Sequence, residues 1–590
     1  MKIKSIWKNV FLRVIPIQFK TTPIHDTIVI LIGGLLGVLL TLNVVAMQNL
    51  FDAVIAVVGN HGKIGACFLP IIGVACTTMG VEIVQGFFNF QADIIFKKSA
   101  GKLKTKLYEK LQKVDPALFE NPSFLDDVNK ATEGANVMPY FCMSMFIAIS
   151  FYLVYFISVG GYLYSLKPLL LITLLLSFIP AMLGQFLRLH VYTTLEKESA
   201  PLRRSCEYYQ KTICDREFFK ETRTLGAYEF FNQLYGNALN GFCKKQWIAD
   251  RNMSLLQLML NLVSFGGMGI STIILFNAVA ASEISIGAFA AVFTALRAIF
   301  SMMQQIINGH IGNMNQNVGK VNNFVILIDM PEAKGKNVDV GYSDGIELKD
   351  VSFTYWGKDT PAIDHVSLKV GRNETIAIVG ENGAGKSTLV RLLTGIYRPT
   401  EGKVQIGGND TGSVTPEKIY QHISGVFQKV QRYKMCLKDN VALSVPESMG
   451  DNVDEAGIRK ALNDSDFDCE GLEMDTMLSP EYGGVDLSGG QWQRLSIARG
   501  LYRTSDFIVL DEPTAAIDPI EETRVYLQFQ KMVKDKIAVI VTHRLGSARM
   551  ADRIIVMANG KIVDVGTHEE LLSRPGKYAE MYQEQAKWYV

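Results

Sequence analysis

Hydrophobic residues are distributed in two different ways along this chain. In its first half they run in long stretches with few charges. In its second half they come in short runs broken by glycine and charged residues. Six of the long stretches, at roughly 27–50, 64–92, 138–164, 167–188, 254–277 and 284–309, reach the ~20 residues that a helix needs to cross a bilayer. Only Lys167-Pro168 separates the third from the fourth. Proline suits the first turn of a helix, so this spacing predicts a hairpin of two helices. Pro70 and Pro180 fall inside expected helices and predict kinks. From residue 346 the pattern shortens to β-like runs, Ile346–Thr354, Val366–Val370 and Thr375–Val379, followed by a helical stretch at 386–394. The expected fold is therefore multidomain. An all-α six-helix transmembrane domain (25–320) is followed by a linker (321–345) and an α/β domain (346–590) in which a strand, a glycine-rich turn and a helix follow in the order a P-loop requires, and residues 1–24 form a separate N-terminal segment.

A length of 590 residues is itself too great for a single core. The net charge of +1 averages over very uneven loops. Residues 97–136 carry Lys97, Lys98, Lys102, Lys104, Lys106, Lys110, Lys113 and Lys130, and residues 188–253 are equally basic. The opposite turns hold little beyond Lys63 and Lys167. Positive loops stay in the cytoplasm, which predicts a multi-pass cell-membrane protein with both termini cytoplasmic. The N-terminus is basic, with an apolar face of Ile6, Trp7, Val10, Phe11 and Val14, and reads as an interfacial helix. The eight cysteines contain no Cys-x-x-Cys pair and predict neither a metal site nor disulfides. Both long cytoplasmic loops read as helical extensions. Their tips, 115–124 and 215–223, carry Phe119, Phe124, Phe218 and Phe219, which suit docking on a partner surface better than water.

Residues 380–387 read Gly-Glu-Asn-Gly-Ala-Gly-Lys-Ser, directly after an apolar strand and before a helix. In that context glycines leave backbone N–H groups free to surround phosphates, and the helix offers its positive end. Gly380, Glu381, Asn382, Gly383, Ala384, Gly385 and Thr388 then line an ATP site. Lys386 reaches the β- and γ-phosphates, and Ser387 ligates Mg²⁺. A second apolar strand ends in Asp511 and Glu512. Asp511 is expected to hold Mg²⁺ through water, and Glu512 to act as the base that orients or deprotonates the attacking water. A third strand ends at His543, placed to stabilise charge in the transition state. Gln428 is a candidate sensor of γ-phosphate and metal. Tyr355 is the candidate stacking partner for adenine, with Trp356 as competitor.

Leu487-Ser-Gly-Gly-Gln-Trp-Gln-Arg stands about a hundred residues after the phosphate loop. Together these motifs resemble the ATP-binding cassette (ABC) family. The resemblance implies a head-to-tail dimer in which Ser488, Gly489, Gly490 and Gln491 of one chain meet the γ-phosphate held by the other. It also implies that Asp518 lies in a loop through which the two sites communicate. The first half resembles the six-helix domain of ABC exporters, so each chain is a half-transporter and the loop tips are coupling helices, the second reaching the partner's cassette. Residues 220–226, the string Tyr482-Gly-Gly-Val-Asp-Leu and Trp492 are similar to exporters of lantibiotics, microcins and related peptides. Multidrug exporters have a Thr-Glu-Val-Gly-Glu-type string before the signature, from which this chain departs. No peptidase domain precedes the first crossing, so leader cleavage is not expected. The intact Glu512, His543 and signature favour a homodimer.

Polar groups inside membrane helices are the default pointers to cargo. Glu82 and Gln85, Asn261, and Arg297 and Gln304 (with Gln305 and Asn308 beyond) are the candidates, and Glu82 is a possible partner for Arg297. Gly266, Gly267 and Gly269 are expected to permit close helix approach. The leading expectation is ATP-driven export of a peptide or other amphipathic compound, with no nucleic-acid partner. An ATP-dependent lipid flippase and an ATP-gated regulatory protein are the alternatives.

Overall fold

The computed structural model describes residues 2–59, 63–333, 335–427, 429–446, 453–511, 529, 532–543 and 545–587. They divide into two compact units, residues 1–112 with 126–330, and residues 113–125 with 331–590.

The first unit is helical. Among the described residues, six helices are long and apolar enough to cross a membrane: Pro23–Gly59, Ile64–Gln112, Pro122–Leu166, Pro168–Tyr192, Tyr228–Ala280 and Ile286–Ile328. They coincide with the six expected crossings, and most continue well beyond the ~20 residues a bilayer requires. Lys167 is extended (φ −161°, ψ 118°), and Pro168 opens the next helix at its first turn, which makes the hairpin. Pro70 falls in the first turn of the helix Phe68–Gln112, where a missing N–H leaves no bond unmade. The sixth crossing continues as helix to Ile328, into the range expected for the linker.

Polar side chains fasten this bundle. Asp52 of the first crossing caps the start of the sixth, accepting from Gly287 N and Ser285 Oγ, each at 3.0 Å. Near the N-terminus, Val10, Val14 and Gln18 of the helix Lys2–Thr21 are fully buried. Gln18 Nε2 donates to the buried Asp26 at 3.2 Å, and Gln18 Oε1 accepts from Ser99 Oγ at 2.8 Å. The basic N-terminal helix is thus pinned to the first two crossings by a closed set of hydrogen bonds. Of the three glycines expected at a helix contact, only Gly267 makes one. A Cβ there would lie 2.0 Å from Ser177 Oγ, whereas Gly266 and Gly269 have nothing within 4 Å. Two π-helical turns, Ile147–Tyr152 and Gln305–Ile311, face one another through Tyr152 Oη, which donates to Gln305 Oε1 at 3.2 Å.

The second unit is α/β. Four strands, β1 (Ile346–Phe353), β2 (Ile363–Val370), β4 (Glu401–Ile406) and β5 (Asn409–Asp410), form an antiparallel sheet in the order β2-β1-β4-β5. Six more form the main sheet: β3 (Thr375–Gly380), β6 (Ile423–Val426), β7 (Phe507–Asp511), β8 (Ile537–Val541), β9 (Arg553–Ala558) and β10 (Lys561–Gly566). Their order is β10-β9-β3-β8-β7-β6. All pairings in it are parallel except β9–β10. β3 and β8 are buried along their whole length, as expected for a parallel sheet covered on both faces. One core fills the space between the two sheets, and the tip residue Ala117 is part of it. The tip 113–125 therefore belongs structurally to this unit. Phe124 is buried there, and Phe119 meets it edge-on at 5.2 Å.

Candidate nucleotide site

The site begins where β3 ends. Gly380 has φ +155°, and a Cβ there would come within 2.4 Å of Met557 O on the neighbouring strand. Gly385 has φ +100°, and a Cβ there would lie 2.7 Å from Ala362 O. Only glycine allows the chain to turn this tightly between strand and helix. The helix Lys386–Leu393 starts directly after Gly385, so its first N–H groups point back into the turn. Lys386 is buried, and its Nζ donates to Gly380 O and Glu381 O, each at 2.9 Å. The buried cation is held by backbone oxygens of the loop that it closes. This cradle of N–H groups and an ammonium suits a polyphosphate.

Ser387 and Asn382 are exposed beside this turn, while Thr388 is buried. Thr388 Oγ1 shares a hydrogen bond of 2.9 Å with Tyr355 Oη. The Tyr355 ring packs edge-on against Phe353 and Tyr397, at 5.1 and 5.9 Å between centroids, and Trp356 is the more exposed of the two adenine candidates. Arg391 Nη1 donates to Tyr397 Oη at 2.6 Å and lies 3.5 Å from Glu120. A chain of contacts thus runs from the tip residue Glu120 through Arg391, Tyr397 and Tyr355 to Thr388 in the phosphate-loop helix.

β7 brings Asp511 to the carboxyl edge of the same sheet, two strands from the loop, and β8 lies between them. Ser387 and Asp511 offer the oxygen ligands that a hard divalent cation takes. Glu512, Gln428 and Asp518 lie outside the described residues. His543 follows β8 by two residues and is half-buried. Its carbonyl accepts from Gln585 Nε2, and Gln585 Oε1 accepts from Leu545 N at 3.0 Å. Gln585 lies in the C-terminal helix Lys577–Ala586. The same helix reaches the phosphate loop, where Lys577 pairs with Glu381 at 2.6 Å. That hydrogen bond and charge hold the Glu381 carboxyl below its ordinary range. No local pattern in the sequence around 577–585 announced either contact.

The signature stands on a different core. Leu487, Trp492, Leu495 and Ala498 pack with Leu437, Val441, Ile458 and Leu462, apart from the cluster under the phosphate loop. Ser488 caps the helix Gly489–Tyr502. Its Oγ accepts from Gln491 N at 3.2 Å, while Gln491 Oε1 accepts from Ser488 N at 2.9 Å. This reciprocal pair fixes the helix start. Ser488 and Gly489 are exposed, so the N-terminus of the helix faces outward. Further along, Arg499 ties the signature helix to the stretch that follows position 428. It donates to Asn440 O (2.8 Å), Asn440 Oδ1 (2.7 Å) and Gln431 O (3.0 Å), and it lies 5.0 Å from the Tyr433 ring. Burial pulls the Arg499 pKa down to about 10.

The cargo candidates lie in the first unit. Glu82 is exposed, and no ion pair with Arg297 occurs among the described residues. Gln85 bonds Asn89 of its own helix at 3.1 Å. Asn261 and Gln304 belong to a carboxamide network. Gln304 Nε2 donates to Asn261 Oδ1 (3.2 Å), Asn308 Nδ2 to Gln304 Oε1 (2.6 Å), and Gln185 and Gln257 both donate to Asn308 Oδ1 (2.5 and 2.7 Å). Arg297 and Gln304 border a cavity of about 370 Å³.

Residues 363–515 match the ABC transporter family. Across 564 residues the chain is 28% identical to the subtilin transport ATP-binding protein of Bacillus subtilis, covering 92% of this chain and 89% of that protein. It is 27% identical over 481 residues to the nisin transport ATP-binding protein of Lactococcus lactis, covering 79% and 78% respectively. It is also similar to an ATP-dependent lipid A-core flippase of Mannheimia succiniciproducens, with 33% identity over 306 residues, about half of each chain (51% and 52%). Among solved structures, a bacterial Atm1-family ABC exporter with ATP bound superposes with a TM-score of 0.77 at 20% identity, covering 94% of this chain and 98% of that one.

Proposed function

The chain is an ABC transporter of the exporter type, six candidate membrane crossings fused to an ATPase domain, and from that premise we propose that it exports a peptide across the cytoplasmic membrane. It binds ATP and couples hydrolysis to transport. The observation that carries the peptide reading is the extent of the match to the subtilin transporter, which runs through nearly the whole of both chains. The flippase relatives match over only about half. The segments 220–226 and 482–487 favour the same reading.

In this proposal two identical chains pair head to tail. The phosphate loop of one holds ATP, and the exposed signature helix of the other brings Ser488 and Gly490 to the γ-phosphate. The capped, outward-facing start of that helix supports the arrangement, because a helix N-terminus attracts an anion. Lys386 leaves the carbonyls of Gly380 and Glu381 for the phosphate chain. Ser387, Gln428 and Asp511 hold Mg²⁺, which neutralises charge on the phosphates when bound. Glu512 takes the proton of the attacking water, His543 faces the γ-phosphate, and Tyr355 stacks on the base. The basic loops put both termini and the ATP site in the cytoplasm. ATP binding closes the dimer, the loop tips pass that motion to the helices, and hydrolysis releases it.

The test uses proteoliposomes in which the ATPase domain faces outward. With Mg-ATP and a lantibiotic precursor such as that of nisin, the expected result is accumulation of peptide against its gradient. Translocation of labelled lipid A without peptide uptake would assign a flippase. Equilibration that stops at equal concentrations would assign a gate.

A further inference from the structure

The cavity bordered by Ser264, Phe265, Met268, Arg297, Phe300, Ser301 and Gln304 lies between the fifth and sixth crossings. Three independent observations make it unlike ordinary packing space. The first is depth. Arg297 stands eleven residues after Ile286, the start of its helix. At 1.5 Å per residue that is about 17 Å, near the middle of a hydrocarbon core of ~30 Å. The second is charge. Arg297 makes no ion pair or hydrogen bond among the described residues, although an intramembrane cation is costly without a partner. The third is an orphan donor. Ser264 is 1% exposed, and its Oγ has no hydrogen-bond partner, alone in this respect among the described side chains of the first unit. A buried hydroxyl left unpaired costs free energy until something accepts its proton.

We infer that this cavity takes a carboxylate of the exported peptide, one borne on an apolar segment. The inference rests on the peptide reading above and adds the chemistry recognised. Arg297 supplies two parallel N–H donors that match a carboxylate, and Ser264 supplies a further O–H. Phe265, Met268 and Phe300 line the rest with apolar surface that accepts the hydrophobic residue carrying the acid. Gln304 is held in place by Asn261 and Asn308 and closes the polar end. A single guanidinium balances a single negative charge. A lipid phosphomonoester carries about −1.5 to −2, and the wall of this cavity offers no second cation.

The full chain in phosphatidylcholine nanodiscs tests this with two probes. They are pools of N-acetylated, apolar-rich decapeptides with free C-terminal carboxylates, and the same pools as C-terminal amides. Binding is read by displacement of a fluorescent pool member. The acids are expected to bind about tenfold to a hundredfold tighter than the amides. Arg297→Gln should bring that ratio to about one, Arg297→Lys should keep part of it, and Ser264→Ala should lower it severalfold. The lysine variant, which retains the charge, guards against a folding defect in the glutamine variant. Equal binding of acids and amides to the unaltered protein overturns the inference and leaves the peptide reading standing. An acid preference that survives Arg297→Gln likewise removes Arg297 from the role. If neither pool binds, while lipid A does and loses affinity in Arg297→Gln, the peptide reading falls as well.

Discussion

Arg499 should be the keystone between the signature helix and the stretch after Gln428, and its removal gives a magnitude that the structure allows one to work out. The side chain donates three hydrogen bonds, two of them to Asn440, which is fully buried. Asn440 in turn donates from Nδ2 to the carbonyls of Tyr433, Met435 and Cys436 at 3.2, 3.0 and 3.1 Å. Arg499→Ala leaves two buried acceptors on Asn440 without a donor, at about 1–3 kcal/mol each. It also removes the contact with the Tyr433 ring, worth about 0.5–1 kcal/mol or more. Recovery of the desolvation that lowers the Arg499 pKa offsets part of this. A net local loss of about 3–4 kcal/mol remains, which corresponds to exchange of the 433–442 amides accelerated roughly 10²- to 10³-fold. Hydrogen exchange read by mass spectrometry on the full-length protein measures it. Arg499→Lys keeps the charge as a single point donor and should fall between. Exchange changed by less than about threefold in the alanine variant would refute the reasoning, because the buried acceptors would then have found other donors. An Asn440→Ala background should absorb most of the effect if the two residues act as one unit.

Three further outcomes follow from the same geometry. Lys386→Ala should weaken ATP binding at least tenfold in equilibrium dialysis, and unchanged affinity would contradict the phosphate assignment. Gln585→Ala, which frees the turn that carries His543, should lower kcat severalfold with little change in the KM for ATP, and should add nothing in a His543→Ala background. Full additivity would show that Gln585 acts elsewhere. Burial, with Arg549 nearby, lowers the pKa of His568, whose ring meets Tyr578 and Tyr582. A depressed histidine means that the unfolded chain binds the extra proton, so this packing is fully present above the ordinary value of 6.5 and is lost as pH falls below it. Proteolysis of the 577–586 helix should therefore speed up between about pH 7 and pH 5, and His568→Phe should flatten that profile. An unchanged profile in the phenylalanine variant would exclude His568 as the cause.

Much of this was readable from the chain alone, for identifiable reasons. The six crossings were legible because lipid demands long apolar runs, and the hairpin because Pro168 can only start a helix there. The tight turn between strand and helix at 380–386 was legible because Gly380 and Gly385 occupy conformations closed to other residues. What stayed hidden was long-range. Lys577 and Gln585 sit on an ordinary-looking C-terminal helix and gain meaning only when the fold brings them to Glu381 and His543. The tip at 113–125 read as part of the membrane domain, yet it groups with the ATPase domain, and Ala117 is buried in that domain's core. Three neighbouring glycines looked equivalent, and only Gly267 meets another helix. Ser264 was not among the intramembrane polar candidates, because nothing local in the sequence marks a hydroxyl that is buried without a partner in the same cavity wall as Arg297.

The account rests on ATP held between two chains, by the phosphate loop of one and the signature of the other. The most direct measurement is a single-particle structure of Glu512→Gln in lipid nanodiscs with Mg-ATP. The predicted result is a closed dimer with two nucleotides, the γ-phosphate of each lying between Lys386 of one chain and Ser488 of its partner. Nucleotide bound by one chain alone, with both signature helices turned away from it, would contradict the account.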